Sequence, residues 1–165
     1  MSEKVVVIGS NSFTGSHFVD RLLSDGIECI GISRSQEPHD AFLPYKKRDK
    51  DKFQFYKLDL NHDLDEIMDV INENKAKYVV NFAAQGMVAE SWEHPEHWFQ
   101  TNVKATIKLH DELRKLDFLK KYVHVSTPEV YGNCEGLVEE NTNYNPSTPY
   151  AVSRAAADMS LMSFI

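Results

Sequence analysis

A β-branched run from Val5 to Ile8 delivers the chain straight into Gly-Ser-Asn-Ser-Phe-Thr-Gly at 9–15, and that bend opens an amphipathic stretch. Strand, glycine-rich turn and helix in that order make the first half of a βαβ unit. Val5–Gly9 reads as a strand buried on both faces. Over residues 13–25, Phe18, Val19, Leu22 and Leu23 recur at helical spacing. The alternation continues: Glu28–Ile32 and Phe53–Leu58 read as strands two and three. Leu64, Ile67, Met68 and Ile71 mark a helix capped by Asn61, and Tyr78–Ala83 is a fourth strand. A long helix over Pro95–Leu116 turns Val103, Ile107, Leu109 and Leu113 inward, and Tyr122–Ser126 is a fifth strand. The last helix starts near Thr148 and still runs at Ile165, with no Gly or Pro stop, as expected of a truncated chain. Such alternation predicts an α/β fold: a doubly wound parallel sheet with right-handed crossovers and helices on both faces.

With 165 residues the chain suits one domain with a real core. Its net charge of −7 argues against a nucleic-acid-binding body but leaves a small anionic ligand open. Cys29 and Cys134 lack disulfide or metal spacing, as expected in a reducing compartment. The start is not signal-like, and no apolar run approaches the ~18–20 residues of a membrane span. The expectation is a cytoplasmic protein with no membrane partner. Residues 34–52 form the one long irregular segment, made basic by Lys46, Lys47, Arg48, Lys50 and Lys52. It reads as a solvated loop, or more sharply as the border of a cofactor's adenosine end. His94 and His97 have zinc-like spacing but no third ligand nearby. Trp92 and Trp98 are expected to pack at the long helix's entrance, and Met159 and Met162 in a core or a dimer contact.

The turn offers free amides and the positive end of a helix to a dinucleotide pyrophosphate. Gly9 permits the tight bend and Gly15 the close approach of helix to strand, with Ser10, Asn11, Ser12, Phe13 and Thr14 completing the cradle. Ser12 stands where a third glycine is usual, and its hydroxyl can bond a phosphate. A carboxylate at the end of the second strand would select the ribose 2′-hydroxyl of NAD. Ser33 and Arg34 stand there instead and favour NADP over NAD. Asp59, past the third strand, can accept from the adenine amino group or serve as a turn residue.

Two further segments carry chemistry: Ser-Thr-Pro-Glu-Val-Tyr-Gly at 126–132 and Thr-Pro-Tyr-Ala-Val-Ser-Arg at 148–154. Tyr150 and Arg154 share one helix face, a phenol one turn from a cation. A phenol titrates near ~10 in water, so base work at neutral pH needs roughly three pH units of depression, about 4 kcal/mol. Arg154 is placed to supply part of it.

With GSNSFTG, Leu-Asp-Leu at 58–60, Asn-Phe-Ala-Ala at 81–84, Thr-Asn-Val at 101–103, STPEVYG and YAVSR in register, the chain resembles an extended short-chain dehydrogenase/reductase of the nucleotide-sugar epimerase/dehydratase family. The resemblance covers the whole chain but only the first half of such an enzyme. It implies a Rossmann-type NAD(P)-binding domain over 1–165, with the C-terminal substrate domain absent. It further implies that Leu60, Ala83 and Ala84 line the cofactor, and that Tyr150 is the acid/base at a sugar hydroxyl. Arg154 stands where lysine is usual and would meet the nicotinamide ribose; Thr127, beside Ser126, would bond the reacting hydroxyl. Asn102 matches a helix asparagine near the active site, and Gln85 and Glu90 lie where the substrate loop passes. Glu129 would serve as base in a 4,6-dehydratase and, because Pro128 has no proton to give, as acid too. The resemblance leaves open a 4-epimerase or decarboxylase of the same family, and a dinucleotide-binding protein that has lost catalysis. It implies a homodimer for the complete protein.

Overall fold

The run Val5–Ile8 forms β1 with all four side chains buried, as an apolar strand must be when both its faces are covered. In this computed structural model, which describes residues 4–164, four more strands flank it. They are β2 (Cys29–Ser33), β3 (Phe53–Lys57), β4 (Tyr78–Asn81) and β5 (Lys121–His124). Neighbours pair in parallel in the order β3-β2-β1-β4-β5, a Rossmann-type sheet. The order reverses between β1 and β4. Ligands of doubly wound sheets bind at the carboxyl ends of strands at such a switch point. Register places Ile8 beside Ile32 on one side and Asn81 on the other, so the glycine turn leaves the sheet at that switch point.

The chain divides into two compact units. The first runs to Ala83 and takes in Glu112–Val125; it holds the whole sheet, α1 (Phe13–Ser24) and α2 (Leu64–Glu73). Val5 and Val7 of β1 share a core with Val19, Leu22 and Leu23 of α1, so the i, i+3, i+4 spacing read from sequence is the buried stripe. Val6 and Ile8, which the strand's period of two turns the other way, are equally buried.

The strands begin and end within a residue or two of their expected bounds. The 34–52 segment differs from the solvated loop. It folds as three short 3-10 turns (Asp40–Phe42, Pro44–Lys47 and Lys50–Lys52) and drives Leu43 and Tyr45 into the core. Two of its cations are tied down as well: Lys46 meets Glu37 at 2.5 Å, and Arg48 grips Asp20 through two bonds of 2.7 and 3.0 Å. The Arg48 guanidinium holds the Asp20 carboxyl below its usual range. Asn61 does not cap α2. Asp63 occupies the N-cap position, while the Asn61 amide groups both donate to Asp59 Oδ1.

The second unit comprises Ala84–Asp111 and the chain from Ser126. The expected long helix is there, but not as a regular one. It is α3 (Pro95–Trp98), then a π-helical stretch over Phe99–Ala105, then α4 (Thr106–Leu113). Asn102 in the widened stretch is 1% exposed and reaches out of the helix to Gln85 and Ser153. Insertions of this kind mark functional sites more often than not. The last helix, α5 (Pro149–Met162), begins at a Thr148 cap whose hydroxyl accepts from Ala151 N. Trp98 packs as expected, donating to Gly86 O, whereas Trp92 is exposed. Met159 and Met162 are exposed too, which removes them from any core. Among the described residues no helix is long and apolar enough to cross a membrane, and no cluster of metal-binding side chains forms.

His110 of α4 is buried, and burial pushes its imidazole down to about 4 from 6.5. Between those two pH values the unfolded chain takes up a proton that the native state refuses, so stability falls on acidification. The expected loss from pH 7 to pH 4 is about 3 kcal/mol, with none added below. Urea unfolding of parent and His110→Leu at both pH values isolates it: equal acid losses in the two proteins would reject the assignment.

Candidate functional site

Within the first unit the glycine turn is locked by its own backbone. Gly9 has φ +84, and a Cβ on it would lie 2.6 Å from Ala83 N. A Cβ on Gly15 would lie 2.2 Å from Gly9 O. Ser12 is the N-cap of α1: its hydroxyl accepts from Gly15 N at 3.0 Å and donates to Gly9 O at 2.8 Å. The serine that replaces the usual glycine therefore shapes the turn, its hydroxyl taken up by backbone at both ends. Ser16 N bonds Ser12 O, Ser12 N bonds Gly9 O, and Ser10 N bonds Ile32 O. Of the four amides that a helix start leaves without an intrahelical partner, Ser12 N and Gly15 N are taken up in the turn, and those of Phe13 and Thr14 remain. They point the positive helix end at whatever anion is bound.

The end of β2 is used differently from the expectation. Ser33 is buried, accepts from Asn11 N at 3.0 Å and meets Ser10 Oγ at 3.3 Å. It braces the turn instead of facing a ribose, which leaves Arg34, exposed at the strand end, as the cationic part of the expected pair. Asn11 bridges further, through Nδ2, to Ser35 O and Gln36 O. Its Oδ1 is buried with no hydrogen-bond partner. A buried acceptor in that state suits a ligand hydroxyl or amine, so the residues present fit a dinucleotide. Asp59 is a turn residue whose Oδ1 takes both Asn61 donors, and Leu60 is buried beside it. Ala83 N donates to Asn81 Oδ1 at 2.9 Å. Asn81 is fully buried, and sequence reasoning gave it no such role.

In the second unit Thr127 caps a 3-10 turn, Pro128–Tyr131, its Oγ1 accepting from Glu129 N at 3.4 Å. The hydroxyl proton of Thr127 is still available to a ligand. Pro128 sits at the first position of the turn, where its fixed φ and missing N–H are no handicap. Gly132 closes the turn at φ +73, with Asn145 O where a Cβ would go. Ser126, Thr127, Glu129, Tyr144 and Asp158 line a cleft of about 820 Å³. Tyr150 and Arg154 are not in its wall; they lie on α5, at its second position and one turn along.

The α5 start is pinned by side chains that the sequence barely flagged. Tyr150 N donates to Ser91 Oγ at 3.1 Å, and Ser153 Oγ donates to Tyr150 O at 2.6 Å. Asn102 bonds Ser153 Oγ and both backbone groups of Gln85, while Ala84 beside it is exposed. Arg154 is only 4% exposed. Asp158, one turn further, accepts from Ser126 Oγ. Burial raises the Asp158 carboxyl, against the Ser126 bond and the Arg154 charge, which both lower it. Burial also raises the Tyr144 phenol, with the Asp158 charge behind it. Asp158 was missed, though its spacing of four from Arg154 and eight from Tyr150 puts all three on one helix face.

The profile described as GDP-mannose 4,6 dehydratase matches residues 6–165. The chain belongs to that family. Relatives within reach include a UDP-glucose 4-epimerase of Mycolicibacterium smegmatis, 32% identical over 96% of this chain and 50% of the relative. A dTDP-glucose 4,6-dehydratase of Xanthomonas campestris is 30% identical over 96% of this chain and 48% of its own length. Among solved structures, MoeE5 in complex with UDP-glucose and NAD is 25% identical, with a TM-score of 0.83 over 98% of this chain and 48% of that one. The chain thus spans about half the length of the curated relatives it matches.

Proposed function

We propose that the complete protein is a nicotinamide-dinucleotide-dependent nucleotide-sugar 4,6-dehydratase. The observation that carries this reading is the 126–131 turn, which sets a threonine hydroxyl and a glutamate carboxylate in the wall of one cleft. A dinucleotide held at the glycine turn would supply the hydride acceptor for oxidation at carbon 4 and the hydride donor for reduction at carbon 6, with no net consumption. Tyr150 takes the proton of the 4-hydroxyl, whose oxygen Thr127 hydrogen-bonds. Glu129 then removes the proton from carbon 5, beside the new ketone, and passes it to the departing 6-hydroxyl, which leaves as water; when carbon 6 is reduced carbon 5 takes up a proton again, and release of the proton held by Tyr150 balances it. Phe13 and Thr14 amides bind the pyrophosphate, and Arg154 meets the nicotinamide ribose. NADP is favoured over NAD because Arg34, not a carboxylate, stands at the end of β2. With Ser33 bracing the turn, that preference rests on Arg34 alone.

A 4-epimerase of the same family is the second reading, favoured by the Mycolicibacterium relative. It needs the same Thr127 and Tyr150 but no work from Glu129. Product mass separates the two, because dehydration loses a water and epimerisation loses nothing. Glu129→Gln is therefore the deciding variant: a fall of about 10²-fold in keto-sugar formation is expected in the complete protein, and a parental rate would reject the dehydratase reading. Exposed Val152, Met159 and Met162 on α5 support a homodimer, and the free Cys29 and Cys134 support a cytoplasmic site.

A further inference from the structure

Among the described residues one carboxylate and one cationic side chain are buried, Asp158 and Arg154, and they stand four positions apart on α5. Side chains of this kind are seldom buried unless paired, and the charge of Arg154 does reach the carboxyl of Asp158. Asp158 also takes the hydroxyl of Ser126, the residue immediately before Thr127. One side chain therefore joins the helix that bears Tyr150 and Arg154 to the turn that bears Thr127 and Glu129. The other described anchors of α5, through Tyr150 N and Ser153, run instead to Ser91 and Asn102.

We propose that Asp158 is a positioning residue for the reaction: through Ser126 it fixes the Thr127–Glu129 turn against α5, and through its charge it holds Arg154 in place. This rests on the roles given above to Thr127, Glu129 and Tyr150. The two halves of the role come apart by substitution. Ser126→Ala keeps the charge facing Arg154 and removes the donor to a buried carboxylate. Asp158→Asn keeps an acceptor for Ser126 and removes the carboxylate charge that Arg154 faces from four positions along α5.

The test measures kcat, KM and dinucleotide affinity in the complete protein. Ser126→Ala should lower kcat about tenfold or more while dinucleotide affinity stays within about threefold, and Ser126→Thr, which keeps the hydroxyl, should restore it. Asp158→Asn should in addition weaken the dinucleotide about tenfold. The double variant should be no worse than the worse single one, since the two residues act as a unit. Parental kcat in Ser126→Ala, failed rescue by threonine, or losses that multiply in the double variant would each overturn the proposal.

Should the complete parent turn over no sugar nucleotide, the functional reading fails on its own, and NMR of this chain still decides the positioning. In Asp158→Asn the amide signals of Thr127 and Glu129 should move. In Ser126→Ala the titration midpoint of the Asp158 carboxyl carbon should rise, with Arg154, Tyr144, Glu129, Tyr131, Cys134, Glu139 and Glu140, the charged and titratable groups around it or along the same cleft, left in place. Unmoved amides and an unmoved midpoint would refute it.

Discussion

Tyr150→Phe in the complete protein is expected to cut kcat by about 10³- to 10⁴-fold, the upper range for loss of a positioned acid/base. Only one oxygen leaves. The ring stays half-buried at the second position of α5, and the bond that pins the residue to Ser91 is made by its backbone N–H, which phenylalanine keeps. The Thr148 cap is likewise untouched. Dinucleotide affinity should therefore stay within about threefold, and the melting temperature should barely move, because no buried partner of the phenol is lost. Steady-state kinetics beside a fluorescence titration with the dinucleotide separates the two effects. Turnover at the parental rate would remove Tyr150 from the chemistry altogether.

Gly9→Ala is expected to cost roughly 3–5 kcal/mol, more than a typical single substitution. At φ +84 any side chain is strained, by about 1–2 kcal/mol. The larger part is steric: the new methyl would lie 2.6 Å from Ala83 N and 2.8 Å from Phe82 C, both backbone atoms with no rotamer to change. The collision sits where β1 and β4 end side by side, with Phe82 N bonded to Ile8 O at 2.8 Å and Gly9 N to Ile32 O at 2.7 Å. Relief would require breaking those bonds, so the turn and its Phe13 and Thr14 amides should be lost with the stability. Urea unfolding is the measurement; a variant within about 1 kcal/mol of the parent would mean that the turn does not have this shape.

Ser12 shows how a departure from a motif is read differently once the backbone is seen. Read from sequence, the Ser12 hydroxyl is free to bond a phosphate; in the structure it caps α1 and ties Gly9 to Gly15. Ser33 likewise looked like a ribose donor and proved to be a brace for Asn11. Both are short hydroxyl side chains, and which partner such a group takes depends on whichever backbone comes within about 3 Å. For Ser33 that distance is set by the pairing of β1 with β2, more than twenty residues apart in sequence, whereas Ser12 meets Gly9 and Gly15 three residues away within the turn itself. The 34–52 segment was misread for a related reason. Leu43 and Tyr45 carry no periodicity in so short a run, and their burial follows from the 3-10 turns that aim them at α1. The π-helical stretch is invisible to a 3.6-residue pattern, because Asn102 widens the helix by reaching for Gln85 and Ser153 rather than by any local preference of its own.

Local spacing was enough to determine the strand and helix alternation, the parallel sheet and the glycine turn at its head, since apolar period and turn chemistry are written into neighbouring residues. The tertiary structure alone decided which hydroxyls serve the backbone and which remain for a ligand. It alone turned Asn81 onto Ala83 N in the first unit, tied Ser91 and Asn102 to the start of α5 in the second, and buried Arg154 and Asp158. The bonds of Ser33 with Asn11, Ser126 with Asp158, Asn102 with Ser153 and Ser91 with Tyr150 join segments 22 to 59 residues apart, and no short stretch of sequence contains both ends of such a contact.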